Sequence, residues 1–302
     1  MQQWQKRDIP NQHDKRFLVT GANSGLGLTT VQTLLEAGAS VVMAVRNIAK
    51  STKVFEGLKS QYPGSDIQIM HLDLADLNSV SAFADAFLQR FSSLDVLVNN
   101  AGIMFPPERQ TSAQGFGLQL ATNHFGHFVL TQKLFPLLQA TPDSRIVTVS
   151  SIVTKMKDAD IYFDDLQFER QYKKMASYAQ SKLANILFAL ELHSRLVTSG
   201  SQVKSLLAHP GYTATNLQQN MGLLGSIMNA MLAQKPEMGA LPTLRAATDP
   251  SAKSGDYFGP SRFGEYRGNP VRVSPPALGL DPSTRKKCWA MSESLTGVNF
   301  EV

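Results

Sequence analysis

Apolar and polar positions alternate in blocks along this chain, and the blocks predict its elements. Phe17-Leu18-Val19 is an apolar run with no polar face, as expected of a strand buried on both sides. It leads into TGANSGLG at 20–27, after which Leu26, Leu28, Val31, Leu34 and Leu35 recur close to helical spacing until Gly38 supplies a stop. Ser40 to Val45 reads as a second strand ending at Arg46-Asn47, and a polar helical stretch runs from Ile48 to Gln61 and closes at Pro63-Gly64. A third strand, Ile67 to Met70, runs into His71-Leu72-Asp73-Leu74, and Val80, Phe83, Phe87 and Leu88 mark the next helix. Leu94 to Val98 is a fourth strand, ending in Asn99-Asn100-Ala101-Gly102.

The alternation continues. A long helical region spans 116–138, Arg145 to Val149 is a fifth strand closed by Ser150-Ser151, and Tyr178 opens an apolar helix through Leu196. Val203 to Leu207 is a sixth strand, followed by His209-Pro210-Gly211. Strands alternating with helices imply a parallel sheet covered on both faces, an α/β fold, and no linker divides it, so a single domain is expected. Beyond it, 216–235 is rich in Met, Leu and Gln, Pro236 to Thr248 is a further helix, Tyr257-Phe258 a short last strand, and 260–302 is expected to be irregular. The Met/Leu stretch reads as a substrate lid rather than a membrane-binding helix, because it lacks lysines on a polar face.

Composition narrows the partners. A hydrophobic fraction of 43% is ample for a core, and the net charge of +5 is spread thinly rather than gathered in a stripe with aromatics, which argues against nucleic acid. Cys288 is the only cysteine, so no intrachain disulfide can form. No apolar run approaches ~18 residues and the first residues are polar, so a cytoplasmic protein without an integral membrane segment is expected.

Every polar signature falls at the carboxyl end of a strand, where open parallel sheets bind ligands. The glycines of 20–27 allow a sharp turn and close approach to a bulky anion, and the helix that follows offers unpaired N–H groups to phosphate. At the end of the second strand, proteins selective for NAD place a carboxylate for the ribose hydroxyls. Here no Asp or Glu occurs from Ser40 to Lys50; Arg46 stands there instead, with Ser24 and Asn47 as further donors. Arg46 is either a surface cation or a ligand for a 2′-phosphate, and the missing carboxylate favours NADP(H). Tyr178 and Lys182, four apart, share a helix face, so the ammonium can favour the phenolate and the tyrosine can exchange a proton with an alcohol. Ser151 can donate to a substrate oxygen, whereas Ser150 would point the other way. Asn123 is a poor helix former in a helical region, serving either as a local cap or in a buried hydrogen-bond relay. His124 and His127, three apart, lack the other ligands of a metal site and read as packing residues, and no metal is expected.

TGANSGLG, Asn99-Asn100-Ala101-Gly102, Asn123, Ser151, Tyr178 with Lys182, and Pro210-Gly211, in this order over 15–216, resemble the short-chain dehydrogenase/reductase superfamily. The resemblance implies a single Rossmann-type domain, a doubly wound parallel sheet of seven strands with helices on both faces. In it 15–216 would form the cofactor-binding and catalytic core, 217–250 the lid helices, and 260–302 a tail. It implies Tyr178 as general acid/base, Ser151 orienting the substrate, Lys182 binding the nicotinamide ribose and lowering the tyrosine pKa, and Asn123 holding a water in a proton relay. Cofactor contacts would come from Gly21, Asn23, Ser24, Gly25, Leu26, Gly27, Arg46, Asn47, Asp73, Leu74, Asn100, Ala101, Gly102, Pro210 and Gly211, with Thr213 or Thr215 reaching the carboxamide or phosphates. Ala44-Val45-Arg46-Asn47, Asn123 to Phe128, Ser177 to Leu187 and His209-Pro210-Gly211 are similar to the retinol-dehydrogenase and carbonyl-reductase branches. The 26 residues between Ser151 and Tyr178, Ile152 to Ser177, would line the substrate mouth. The expected activity is NADP(H)-dependent interconversion of a carbonyl and an alcohol on a small hydrophobic molecule, by a monomer or homodimer. The alternatives are a catalytically idle nucleotide-binding regulator of the same fold and a membrane-associated lipid or retinoid dehydrogenase.

Overall fold

A strand with no polar face must be covered on both sides, and the first strand sets that requirement for the whole sheet. In β1 (Arg16–Thr20) every residue after Arg16 is buried. Phe17 and Val19 point to one face and Leu18 to the other, because successive side chains alternate across a strand. The computed structural model describes residues 3–213 and 234–302. Within them, β1 is joined by β2 (Ser40–Val45), β3 (Ile67–His71), β4 (Val96–Asn99), β5 (Arg145–Val149), β6 (Lys204–Ala208), β7 (Tyr257–Arg262) and β8 (Arg267–Arg272). The spatial order is 3-2-1-4-5-6-7-8, parallel through β7 and antiparallel at β8. The order reverses between β1 and β4, the switch point where such sheets open a ligand crevice.

On the Phe17/Val19 face lie α1 (Gly25–Glu36), α2 (Ile48–Gln61) and, later in the chain, the helix Pro236–Thr248. Val31 and Leu34 of α1 meet Leu241 and Leu244 of that helix over the sheet. On the Leu18 face lie α3 (Leu77–Arg90) and a composite helix. The composite helix comprises a short turn α4 (Leu118–Leu120), a π-helical turn Ala121–Phe125 and α5 (Gly126–Ala140). Beside them, over β5 and β6, runs α6 (Lys174–Ser199), which ends on left-handed Gly200. The remaining α-helices among the described residues are α7 (Pro236–Thr248), α8 (Ala277–Leu280) and α9 (Pro282–Thr296). No helix among the described residues is long and apolar enough to cross a membrane.

Three expectations for the end of the chain are corrected. The sheet has eight strands, not seven. Residues 260–302 are not irregular: β7 and β8 form a hairpin, and α9 docks Trp289 edge-on to Phe128 at 5.2 Å and beside Phe188 at 5.8 Å. The reason they escaped notice is physical. Pro260 and Pro270 face each other in the outer hairpin, past the last pairing of β7 with β6, so prolines here cost no interior ladder bond. Finally, α7 is not part of a lid. Its residues from Gly239 to Thr248 are largely buried on the sheet against α1. The Met/Leu-rich stretch 214–233, with the expected lid and Thr215, lies outside the described residues.

Gly126 starts α5 where a Cβ would come within 2.3 Å of the Leu74 carbonyl oxygen, so the absent side chain lets the helix seat on the loop after β3. Gly126→Ala is expected to cost about 1–3 kcal/mol through overpacking. Its urea midpoint should fall with unchanged m-value, and a wild-type midpoint would show that the loop yields freely.

Candidate functional site

The chain leaves β1 through Gly21 (φ 65°) and enters α1 at Gly25 (φ 53°), both left-handed positions that favour glycine. A Cβ on Gly27 would lie 2.3 Å from the Gly21 carbonyl oxygen and 2.7 Å from Asn100 Nδ2, so only hydrogen lets the first turn of α1 rest on the loop. Ser24 is the N-cap but makes no side-chain cap bond, and the first N–H groups of a helix have no partner within it. Gly25, Leu26 and Gly27 therefore present an anion-binding end to a cleft of about 420 Å³.

The loop after β4 is fastened to this turn by two side chains, Thr20 and Asn100. The Thr20 hydroxyl oxygen accepts from the backbone N–H of Asn100 (3.0 Å) and Ala101 (2.9 Å), while Asn100 Nδ2 donates to the Thr20 carbonyl at 2.8 Å. His127 stands behind it, with Nε2 2.9 Å from the Thr20 hydroxyl and Nδ1 3.0 Å from the Asn123 carbonyl oxygen. A carbonyl only accepts, so Nδ1 carries the ring proton and Nε2 receives the Thr20 hydrogen. Full burial holds the His127 pKa down to about 3, which keeps that neutral form.

Asn123 lies in the π-helical turn and is fully buried. Its Oδ1 accepts from Ile103 N at 2.8 Å, and its Nδ2 donates to the Ile103 carbonyl at 3.0 Å and to the Ser181 hydroxyl at 2.9 Å. This pins the loop after Gly102 against α6. A Cβ on Gly102 would stand 3.2 Å from both Asn123 Oδ1 and Lys182 Nζ. On α6, the Lys182 ammonium donates to the Val149 carbonyl at 3.2 Å, and burial lowers its pKa to about 8. Tyr178, one turn earlier, lies edge-on to Phe105 at 5.3 Å. Burial pushes its phenol up to about 12, opposed by a hydrogen bond with Ser151. The two serines after β5 diverge: Ser151 meets Tyr178, and Ser150 donates to the Lys182 carbonyl at 2.8 Å. The chemistry available is a neutral phenol, a hydroxyl beside it and an ammonium on the same helix face, all at the mouth of an anion-binding turn.

The cleft gathers most of the residues the sequence singled out: Gly21, Asn23, Ser24, Gly25, Leu26, Gly27, Arg46, Asn47, Asp73, Leu74, Asn100, Ala101, Gly102, Tyr178, Lys182 and Pro210. Arg46 is exposed at its rim. Asn47 Oδ1 is used as the α2 cap, accepting from Lys50 N at 2.9 Å, which leaves its Nδ2 as the donor that could face a ligand. Asp73 accepts from Ala75 N at 2.9 Å, shaping the loop after β3. Asn123 stands behind the cleft lining against Ile103 and Ser181, Ser151 lies beside Tyr178, and Thr213 bonds the Pro210 carbonyl at 2.9 Å next to Gly211. Sequence reasoning missed Thr20, Lys50, Ile103 and Thr122, which also line the cleft. Lys50 was findable, since it lies four residues after Arg46 in the first turn of α2. Thr122 carried no signal beyond its neighbour Asn123.

A family model described as short chain dehydrogenase matches residues 15–163. The chain is 38% identical to retinol dehydrogenase 14 of Homo sapiens over 307 residues, covering 95% of this chain and 87% of that protein. It is 35% identical to the short-chain dehydrogenase/reductase pkfC of Emericella nidulans, covering 95% and 94%. Among solved structures, an uncharacterized protein from Mycobacterium paratuberculosis superposes with a TM-score of 0.82 at 37% identity over the full length of both chains. The NADP complex of RhlG from Pseudomonas aeruginosa shares the fold, with a TM-score of 0.65 at 23% identity over 80% of this chain and 91% of that one.

The buried histidines give the fold a pH dependence of known sign. His124 and His127 titrate near 6.5 when unfolded but only at about 4 and about 3 when folded, chiefly through desolvation; burial lowers His193 and His209 too. Between those values the unfolded chain binds protons that the folded chain refuses, so stability falls as pH drops below about 6.5. The thermal midpoint should decline from there toward about pH 5, with proton uptake on unfolding in calorimetry. A midpoint constant over that range would contradict the assigned neutral state.

Proposed function

The chain belongs to the short-chain dehydrogenase family, a family of oxidoreductases, and from that premise we propose that it is an NADP(H)-dependent enzyme interconverting a hydrophobic aldehyde or ketone and the corresponding alcohol. The observation that carries the reading is the buried Tyr178, beside Ser151 and one helical turn from Lys182, next to the glycine turn. The residues present fit a dinucleotide. A Cβ at Gly21 would lie 2.9 Å from the Ala101 backbone and one at Gly27 2.3 Å from the Gly21 carbonyl oxygen, so both glycines let α1 seat directly on the loops after β1 and β4, with its unpaired N–H groups at the cleft. Arg46 and Lys50 sit at the rim of the same cleft, with no acidic side chain between them to receive ribose hydroxyls.

When bound, the nicotinamide ring supplies or takes the hydride. The protein handles the proton and the charge. In reduction, Tyr178 donates its phenolic proton to the substrate oxygen, and the Ser151 hydroxyl donates a hydrogen bond to that oxygen as charge develops. Lys182, cationic below about pH 8, stabilises the phenolate left behind. In oxidation the same groups run in reverse. Asn123, bonded to Ile103 on both sides and to Ser181, holds Gly102 and α6 at fixed separation. Phe105 against Tyr178 gives the substrate end an apolar surface, in keeping with the retinol dehydrogenases among the relatives.

Tyr178→Phe removes the proton donor and little else. Turnover of aldehydes should fall by about 10²–10⁴-fold, while NADPH still binds with near-wild-type affinity by fluorescence titration. Retained turnover would end the assignment. Arg46→Ala should weaken NADPH binding roughly 10- to 100-fold, the worth of a charge-assisted hydrogen bond, and leave NADH almost untouched. Equal loss for both coenzymes would refute the choice of NADP(H).

A further inference from the structure

Glu265 occupies the turn between β7 and β8, beyond the span matched by the family model. Phe263, Gly264 and Glu265 are successive left-handed residues, at φ 53°, 63° and 71°. Two of the three are not glycine, and such a run persists only where its surroundings hold it. The Phe263 ring is 70% exposed and cannot be the anchor. The Glu265 carboxylate can: Oε1 accepts from Lys155 Nζ at 2.5 Å and Oε2 from His209 Nε2 at 2.8 Å.

Each partner leads to a wall of the proposed reaction site. Lys155 closes the 3-10 turn Ile152–Lys155, which is built on Ser151: the Ser151 carbonyl accepts from Thr154 N at 3.2 Å and Thr154 Oγ1 at 2.8 Å. His209 is fully buried, and its Nδ1 accepts from the Gly211 N–H at 3.2 Å. An amide nitrogen only donates, so the ring proton sits on Nε2 and points at Glu265. The hairpin grips the same turn through its backbone, with Tyr212 N donating to the Tyr266 carbonyl at 2.8 Å. A Cβ on Gly211 would come within 2.5 Å of that carbonyl oxygen, so the two turns are packed without slack.

We propose that Glu265 is a positioning residue for the reaction, a single carboxylate that fixes the segment carrying Ser151 relative to the Pro210–Gly211 turn on the opposite wall. It rests on the proposed carbonyl–alcohol chemistry, in which the substrate oxygen held by Ser151 must meet the nicotinamide end of the cleft. Glutamine cannot replace it. The carboxamide offers one acceptor where an ammonium and an imidazole N–H both require one, and it turns its own N–H groups on the other donor.

The test compares wild type, Glu265→Gln, Lys155→Met and the double variant. Glu265→Gln should lower kcat on the order of tenfold, the scale of a sub-ångström misplacement, while NADPH affinity stays within about twofold. Lys155→Met should lower kcat in the same way, and the double variant should lose no more than the worse single one, because both cut one tether. In peptide-resolved hydrogen exchange, Glu265→Gln should speed exchange in 151–156 and in 209–213 but not in 20–27. Wild-type kcat in Glu265→Gln, losses that multiply, or faster exchange confined to 257–272 would overturn the proposal. Should Glu265→Gln fail to fold, Lys155→Met reads the same tether from its other end. Wild-type protein that reduces no carbonyl with either coenzyme would sink the proposed function instead, and the exchange data would still decide the tether.

Discussion

The Thr20 hydroxyl is the junction on which the site depends. It closes the last turn of β1, accepts from two N–H groups of the loop after β4, and gives its hydrogen to His127, the nearer of two acceptors (2.9 Å against 3.3 Å to the Val98 carbonyl). Through the imidazole it reaches the carbonyl of Asn123, in a turn where the helix departs from α-geometry. Such π-turns free or re-aim backbone groups, and they recur at functional sites. Three stretches remote in sequence are thereby held by one short polar chain. Each member is satisfied, the condition under which a buried polar network rigidifies rather than weakens a core.

Burial then sets the electrostatics. Desolvation moves Tyr178 up to about 12 and Lys182 down to about 8, so both groups are driven toward their neutral forms. By itself the Tyr178 phenol is thus a poor base. A positive ring entering beside the phenol would reverse that bias by stabilising phenolate, whereas a neutral ring would leave the phenol protonated. In the proposed chemistry the protonation state suited to each direction of reaction would thus follow the charge of the nicotinamide ring.

Much of this was legible in the residues. Buried parallel strands announce themselves as unbroken apolar runs, and the polar residues at their ends stand out by contrast; Tyr178, Lys182 and the glycine turn were visible for that reason. The helix Pro236–Thr248 was also found, but not its place, because an apolar helix looks the same over a cleft or over a sheet. What escaped was written in long-range hydrogen bonds. His127 showed only a spacing to His124, and nothing local points it at Thr20, 107 residues away. The outer hairpin was hidden by its own chemistry, since Gly, Pro and Arg carry no strand alternation. Glu265 belongs to that hairpin and was unremarkable in sequence.

Among the described residues that hairpin is also where the sheet ends. A parallel sheet ending on an apolar strand would offer a row of free N–H and C=O groups to any extended chain. Here the last strand runs the other way, lacks an N–H at Pro270, and carries Arg267 and Arg272 near its two ends. A second strand added along this border would meet a gap in the ladder at Pro270. The C-terminal strands thus act as a selvedge, a finished margin that protects the fold from unravelling into aggregation.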